Sequence, residues 1–163
     1  MLITIEKAYE KDAESLVALQ KQAFEELYMI YQDKNSPFLI TVDEMIERIS
    51  YENGNYYKIL CNNELCGGIF VFKLEEGIYK IANIYVQPKY QNQGVANTAI
   101  SLVEKTEPDA KTQEIDFPID QIKSKKCYEK LGYVDTEKRE VINDKLTLAY
   151  YRKEVQNTID ATN

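Results

Sequence analysis

Ile84-Tyr85-Val86-Gln87-Pro88-Lys89-Tyr90-Gln91-Asn92-Gln93-Gly94-Val95-Ala96-Asn97 decides the reading of this chain. An apolar strand runs into a turn marked by Pro88. A Gln-x-x-Gly-x-Ala element follows, and a helical pattern starts at once. That order suits a diphosphate. The first N–H groups of a helix are unpaired, point outward and carry the positive end of the helix dipole. Gly94 lets a backbone come close to an anion, and Ala96 keeps the next turn slim.

A second motif lies downstream at Cys127-Tyr128-Glu129-Lys130-Leu131-Gly132-Tyr133. Together the two segments resemble the GNAT family of N-acetyltransferases. The first matches that family's Gln/Arg-x-x-Gly-x-Gly/Ala acetyl-CoA motif through Gln91, Gly94 and Ala96. The second is similar to the Leu-Tyr-Glu-Lys-x-Gly-Phe signature that closes the family's last helix. The interval leaves room for one helix, one strand and another helix.

Working outward, the pattern predicts strands at Leu2–Ala8, Tyr56–Cys61, Cys66–Leu74, 78–86 and 114–117. Further strands are expected at 133–135, 138–142 and 146–155. Leu16, Leu19, Ala23, Leu27 and Ile30 recur at helical spacing, with Asp12 as a candidate cap. Thr41 and Glu44 form a capping box ahead of Met45, Ile46 and Ile49. Ala96, Ala99, Ile100 and Val103 are expected to face inward from the helix after Gly94. Gln121 to Leu131 reads as the last helix, with Asp120 as a possible cap and Gly132 as its left-handed stop. Gly67-Gly68 inside a strand points to a bulge or a close backbone approach. The order is βααβββαβαββ: a mixed α/β fold with a twisted, mostly antiparallel sheet of about seven strands and helices on both faces. Residues 1–155 are expected to be one domain, and 156–163 a polar, frayed tail.

Composition narrows the partners. A net charge of −7 argues against nucleic acid. No apolar run reaches the roughly 18 residues of a membrane span, and the first residues read as a strand rather than a leader. Cys61, Cys66 and Cys127 have no zinc spacing, and the chain has no histidine, so no metal is expected. Free thiols fit a reduced cytoplasmic protein, monomer or homodimer. Residues 10–52 hold ten carboxylates against Lys11, Lys21, Lys34 and Arg48, a local net of −6. They are either the solvated faces of two helices or an acidic rim that attracts a cationic amine.

The resemblance implies a reaction. Acetyl-CoA would enter a split between the strand ending at Val86 and the strand at 114–117, pairing with Ile84, Tyr85 and Val86. The N–H of Ile84 would meet the acetyl oxygen. The N–H groups of Gln91, Asn92, Gln93, Gly94, Val95 and Ala96 would hold the diphosphate, with Asn97 and Ser124 beside the cofactor. Tyr128 would protonate the leaving thiolate, since a phenol with a pKa of about 10 can supply a proton at close range. An acetyl group would then pass directly to a primary amine of a small molecule or peptide in a ternary complex. Gln121 stands where many relatives carry Asn.

The base stays open. Lys80 stands where many relatives carry Glu, and Asn83 through a water, Glu75, Glu76 and Asp116 are the remaining candidates. The acceptor pocket is expected around the loop between the first two helices, with Tyr28, Tyr31, Asp33 and Asn83 as its contacts. Lys80 also supports the alternative of a catalytically silent acyl-CoA-binding module. A P-loop is excluded, because Val95-Ala96-Asn97 lacks the required Gly-Lys-Ser/Thr.

Overall fold

Alternation along the strands divides the apolar residues between two faces, and each face takes its own pair of helices. In the computed structural model, which describes residues 1–155, β1 (Ile3–Lys7) is followed by α1 (Ala13–Tyr31) and α2 (Val42–Ile49). Three strands follow: β2 (Gly54–Cys61), β3 (Glu64–Glu75) and β4 (Ile78–Val86). Then come α3 (Val95–Thr106), β5 (Thr112–Pro118), α4 (Ile122–Lys130), β6 (Val134–Val141) and β7 (Thr147–Glu154). The expected element order is the observed one. The expected tail, 156–163, lies outside the described residues. Among the described residues no helix is long and apolar enough to cross a membrane.

The seven strands form one sheet in the order β1-β2-β3-β4-β5-β7-β6. Every neighbouring pair is antiparallel except β4 and β5. Ile59, Ile69, Val71, Ile81, Ile115 and Phe117 pack with Val95, Ala99, Ile100 and Val103 of α3 and with Tyr128 of α4. On the other face, Tyr56, Phe70 and Tyr85 meet Leu16, Val17, Met45 and Ile49 of α1 and α2.

Two irregularities shape the middle of the sheet. Gly67 pairs with Val86 so closely that a Cβ there would run into the Tyr85 carbonyl oxygen. A Cβ on Gly68 would strike the Tyr85 hydroxyl. These are the close approaches that the glycine pair announced. In β4 the register with β3 jumps from Asn83 to Ile81, which leaves Ala82 as an extra residue. A bulge bends its strand and tightens its twist. The last β4–β5 couple, Ile81 with Ile115, lies directly before it.

Several local expectations change. Asp12 does not cap α1 with its side chain. It accepts from the Tyr9 N–H instead, at 2.8 Å, closing the turn before the helix. Asp120 likewise caps nothing, because Gln121 occupies the cap position of α4 without a side-chain bond. The inward stripe of α1 runs through Ala13, Leu16, Val17, Gln20 and Tyr31, while Ile30 is 50% exposed. Val95 rather than Ala96 is the buried residue of α3's first turn. The two pieces expected at 133–142 are one strand with an irregular register between Asp135 and Arg139.

Candidate active site

Past Ile81, β4 is bonded only to β3, while β5 continues alongside β7. The two strands therefore diverge and leave a wedge in the sheet. The Gln87 N–H donates toward β3, to the Cys66 carbonyl at 2.7 Å. On the opposite edge, Gln91 Nε2 reaches the Val86 carbonyl at 2.8 Å. Backbone groups alternate in direction along a strand. The N–H groups of Ile84 and Val86 consequently face the wedge, and Tyr85 turns its backbone to β3.

The wedge leads to the Gly loop. Pro88–Tyr90 is a single 3-10 turn, and the Gln91 N–H closes it on the Pro88 carbonyl at 3.1 Å. Gln91 is thus not an open donor, although the sequence pattern counts it as one. Asn92 and Gly94 take left-handed backbone, φ +63° and +79°. Thr98 is the first residue whose N–H bonds back into α3, to the Gly94 carbonyl. Among the described residues, the N–H groups of Asn92, Gln93, Gly94, Val95, Ala96 and Asn97 have no partner. Such a run of free donors at a helix start is a concave anion seat. Nothing lies within 4 Å of where a Gly94 Cβ would be, so the space above the loop is open. The side chains brace the loop: Gln93 donates to the Lys89 carbonyl, and Asn97 accepts from the Cys127 thiol across to α4.

Tyr128 sits at the end of α4. The Gly132 N–H bonds the Glu129 carbonyl and the Tyr133 N–H the Tyr128 carbonyl, a Schellman closure made possible by Gly132 at φ +98°. The Tyr128 ring is 9% exposed and lies 5.2 Å from the ring of Phe117, on the β5 side of the wedge. Among the described residues its hydroxyl has no hydrogen-bond partner. Burial pushes its pKa up, and the nearby Cys127 and Asp116 add to the shift, so the phenol stays protonated at neutral pH. Ser124, half-buried, is one turn earlier on the same helix.

The opposite face carries the residues expected to meet an acceptor. Tyr28 stacks on Phe38 at 5.0 Å, joining α1 to the following loop. Tyr31, 3% exposed, donates to Asp120 at 2.5 Å and accepts from Gln121 Nε2 at 2.8 Å. Its carbonyl accepts from Asn143, and Lys145 reaches Gln32. Tyr31 therefore fastens α1 to the start of α4 and to the β6–β7 turn. Burial, then the Asp120 hydrogen bond, raises its pKa. Asp33 accepts from the Asn35 N–H and lines an open cleft of about 600 Å³ with Tyr31, Asn35, Asn143 and Lys145. Apart from Asp12 and Asp33, the carboxylates of residues 10–52 lie on exposed surface.

Asn83 is buried and donates to Gln20 Oε1 at 3.0 Å. Gln20, fully buried, also accepts from Tyr56 and donates to the Pro37 carbonyl at 2.7 Å. Tyr56 in turn bonds the Tyr85 hydroxyl at 2.7 Å. This network ties α1, the α1–α2 loop and β4 together beside Ile84. A glutamine in a helix gives no sign of such a role in sequence. Gln20→Leu keeps the bulk but leaves the Asn83 amide and the Pro37 carbonyl short of a partner. We expect a loss of about 1–3 kcal/mol, read by denaturant unfolding; unchanged stability would show that the network contributes nothing.

Sequence reasoning names Lys80 and Asp116 separately but not their contact. Lys80 forms a 2.5 Å ion pair with Asp116, and its ammonium lies 5.2 Å from the Tyr150 ring centre. Glu75 and Glu76, the other carboxylates considered, are exposed at the far end of β3 and in the turn after it.

The chain matches the family model described as "Acetyltransferase (GNAT) domain" over residues 14–155. No curated protein matches it. Among solved structures, it is similar to a spermidine N-acetyltransferase from Vibrio cholerae in complex with CoA and spermine, at 16% identity and a TM-score of 0.76, covering 96% of this chain and 98% of that one. It is also similar to the ribosomal-protein-S18-alanine N-acetyltransferase from Escherichia coli, at 12% identity and a TM-score of 0.74, covering 95% of each chain. A third is the PaiA N-acetyltransferase of Thermoplasma acidophilum in complex with coenzyme A, at 14% identity and a TM-score of 0.71, covering 94% and 99%. At these identities the structures establish the fold, and the family match across 14–155 establishes the rest: the chain belongs to the GNAT acetyltransferase family.

Proposed function

We propose that the protein is an acetyl-CoA-dependent N-acetyltransferase that moves the acetyl group to a primary amine of a small molecule or peptide, by direct attack in a ternary complex. One observation carries this reading: the strand edge of Ile84 and Val86, left open where β4 parts from β5, leads through the Pro88–Tyr90 turn to the row of N–H groups at 92–97 that have no partner among the described residues. A pantetheine arm in the wedge would pair with Ile84 and Val86. The diphosphate would rest on Asn92–Asn97, with Ser124 and Asn97 alongside. Two neighbours of this fold were solved with CoA, which supports the same seat here. Neighbours named for spermidine and for a ribosomal-protein alanine support an amine acceptor.

The chain's groups then have distinct roles. The Ile84 N–H meets the acetyl oxygen as negative charge grows on it, a contribution on the order of 3 kcal/mol for a fixed donor. Tyr128 gives its proton to the departing sulfur. Asp116 is the carboxylate at the point where the strands part; it is held by Lys80, and the amine's proton would leave through water beside it. Tyr28, Tyr31, Asp33 and Asn83 shape the acceptor side, mostly by holding the loops around it.

Incubation with acetyl-CoA and a panel of amines tests the reading. We expect CoA release that depends on the amine, with one acetyl group gained by the amine. CoA binding without acetyl transfer to any amine would instead make the protein a silent acyl-CoA-binding module.

A further inference from the structure

The Lys80–Asp116 pair occupies a decisive place on the acceptor face. Lys80 lies one residue before the last β4–β5 couple, and Asp116 one residue after it. Their side chains are each 20% exposed, so the pair is largely shielded from water. Tyr150 of β7 supplies an aromatic face, which also carries the Lys138 ammonium of β6 at 4.3 Å. The Tyr150 hydroxyl is engaged by Glu140 at 2.5 Å. Glu114, opposite Lys80 in the register, pairs with Arg152 at 3.7 Å. Further along β4, the uncharged Asn83 is bonded to Gln20 of α1.

A carboxylate beside an aromatic ring is the arrangement that holds an ammonium ion. Here the chain's own ammonium already fills it. An incoming cation would have to displace Lys80 or accept a like charge at close range, and like charge disfavours the protonated form. With no histidine in the chain and Asp116 neutralised by Lys80, the site is poorly equipped to strip a proton from a strongly basic amine.

We infer that the Lys80–Asp116 pair selects acceptors whose amine is already substantially neutral, namely the α-amino group of a peptide, over alkylammonium acceptors. The inference rests on the acetyl-transfer reading above. An α-amine has a pKa of about 7.7–8.0 and a lysine-type amine about 10.4. At pH 7.5 the neutral fractions differ about 200-fold on those values. Lower basicity weakens the nucleophile and returns part of that gain, leaving about 10-fold or more in kcat/KM. The step balances: the neutral nitrogen bonds the acetyl carbon, the C–S bond breaks, Tyr128 protonates the thiolate, and the proton on nitrogen leaves through water beside Asp116. Solvent then reprotonates Tyr128.

The test compares three acceptors under subsaturating conditions at pH 7.5. They are a lysine-free peptide mixture covering all N-terminal residues, an N-terminally blocked peptide carrying one lysine, and spermidine. Wild type should favour the free α-amine by about 10-fold or more, and its kcat/KM should bend near pH 8 and level off above about pH 9 as the α-amine finishes losing its proton. Lys80→Met, which keeps the aliphatic stem, should shrink that preference at least several-fold, and Lys80→Gln should do the same. A ratio of two acceptors is insensitive to partial loss of folded enzyme. Preference for lysine or spermidine in the wild type, or a ratio unchanged in both variants, overturns the inference while leaving amine acetylation standing. Failure to acetylate any amine overturns both.

Discussion

Tyr128→Phe should lower kcat by about 10²-fold or more while leaving CoA affinity nearly unchanged, the signature of a proton supplied only in the transition state. The substitution keeps the ring against Phe117 and Tyr133 and removes one hydroxyl. That hydroxyl has no partner among the described residues, so its loss orphans no neighbour and the fold should survive. Burial raises the phenol's pKa, so the acid stays protonated as pH rises through neutral and mildly alkaline conditions. Activity should therefore show no alkaline fall from this group below about pH 10, the ordinary tyrosine value. Single-turnover acetyl transfer measures the effect directly. Near-normal rates in the phenylalanine variant would make Tyr128 a packing residue.

Gly94→Glu is expected to abolish measurable CoA binding in calorimetry. Two effects act together. Gly94 has φ +79°, which a side chain rarely tolerates, so any residue with a Cβ would strain the loop. The new carboxylate would also project into the open space beside six unpaired N–H groups and compete there with a phosphate. Gly94→Ala separates the effects, because it brings the strain without the charge. It should weaken CoA far less than Gly94→Glu does. Equal losses in the two variants would assign the effect to loop geometry alone, and full affinity in a folded Gly94→Glu protein would remove the loop from the cofactor site.

Much of this architecture is local chemistry, and local chemistry is legible in sequence. The strand–Gly–helix segment, the Thr41–Glu44 box and the Gly132 stop each depend on residues within a few positions of one another. The glycine pair at 67–68 signalled a close approach because little else fits there. What escaped notice depends on partners far apart in the chain. Gln20 meets Asn83, Tyr31 meets Asp120 and Lys80 meets Asp116 only after the sheet has assembled. Asp12 and Asp120 look like caps because short acids favour helix starts, yet both are drawn to other partners. The bulge at Ala82 has no glycine to mark it, although it lies where the wedge begins. The motif places the Gln91 N–H among the anion donors because it includes the residue. The preceding 3-10 turn uses that N–H first.

In the proposed function, the wedge and the Gly loop together form one acetyl-CoA seat. Amide NMR shifts on titration with CoA test it most directly. Shifts should concentrate at Ile84, Val86 and residues 92–97, with smaller ones near Ser124 and Tyr128, and no comparable pattern should appear with ATP. Saturable CoA binding that leaves 84–86 and 92–97 unperturbed would contradict it.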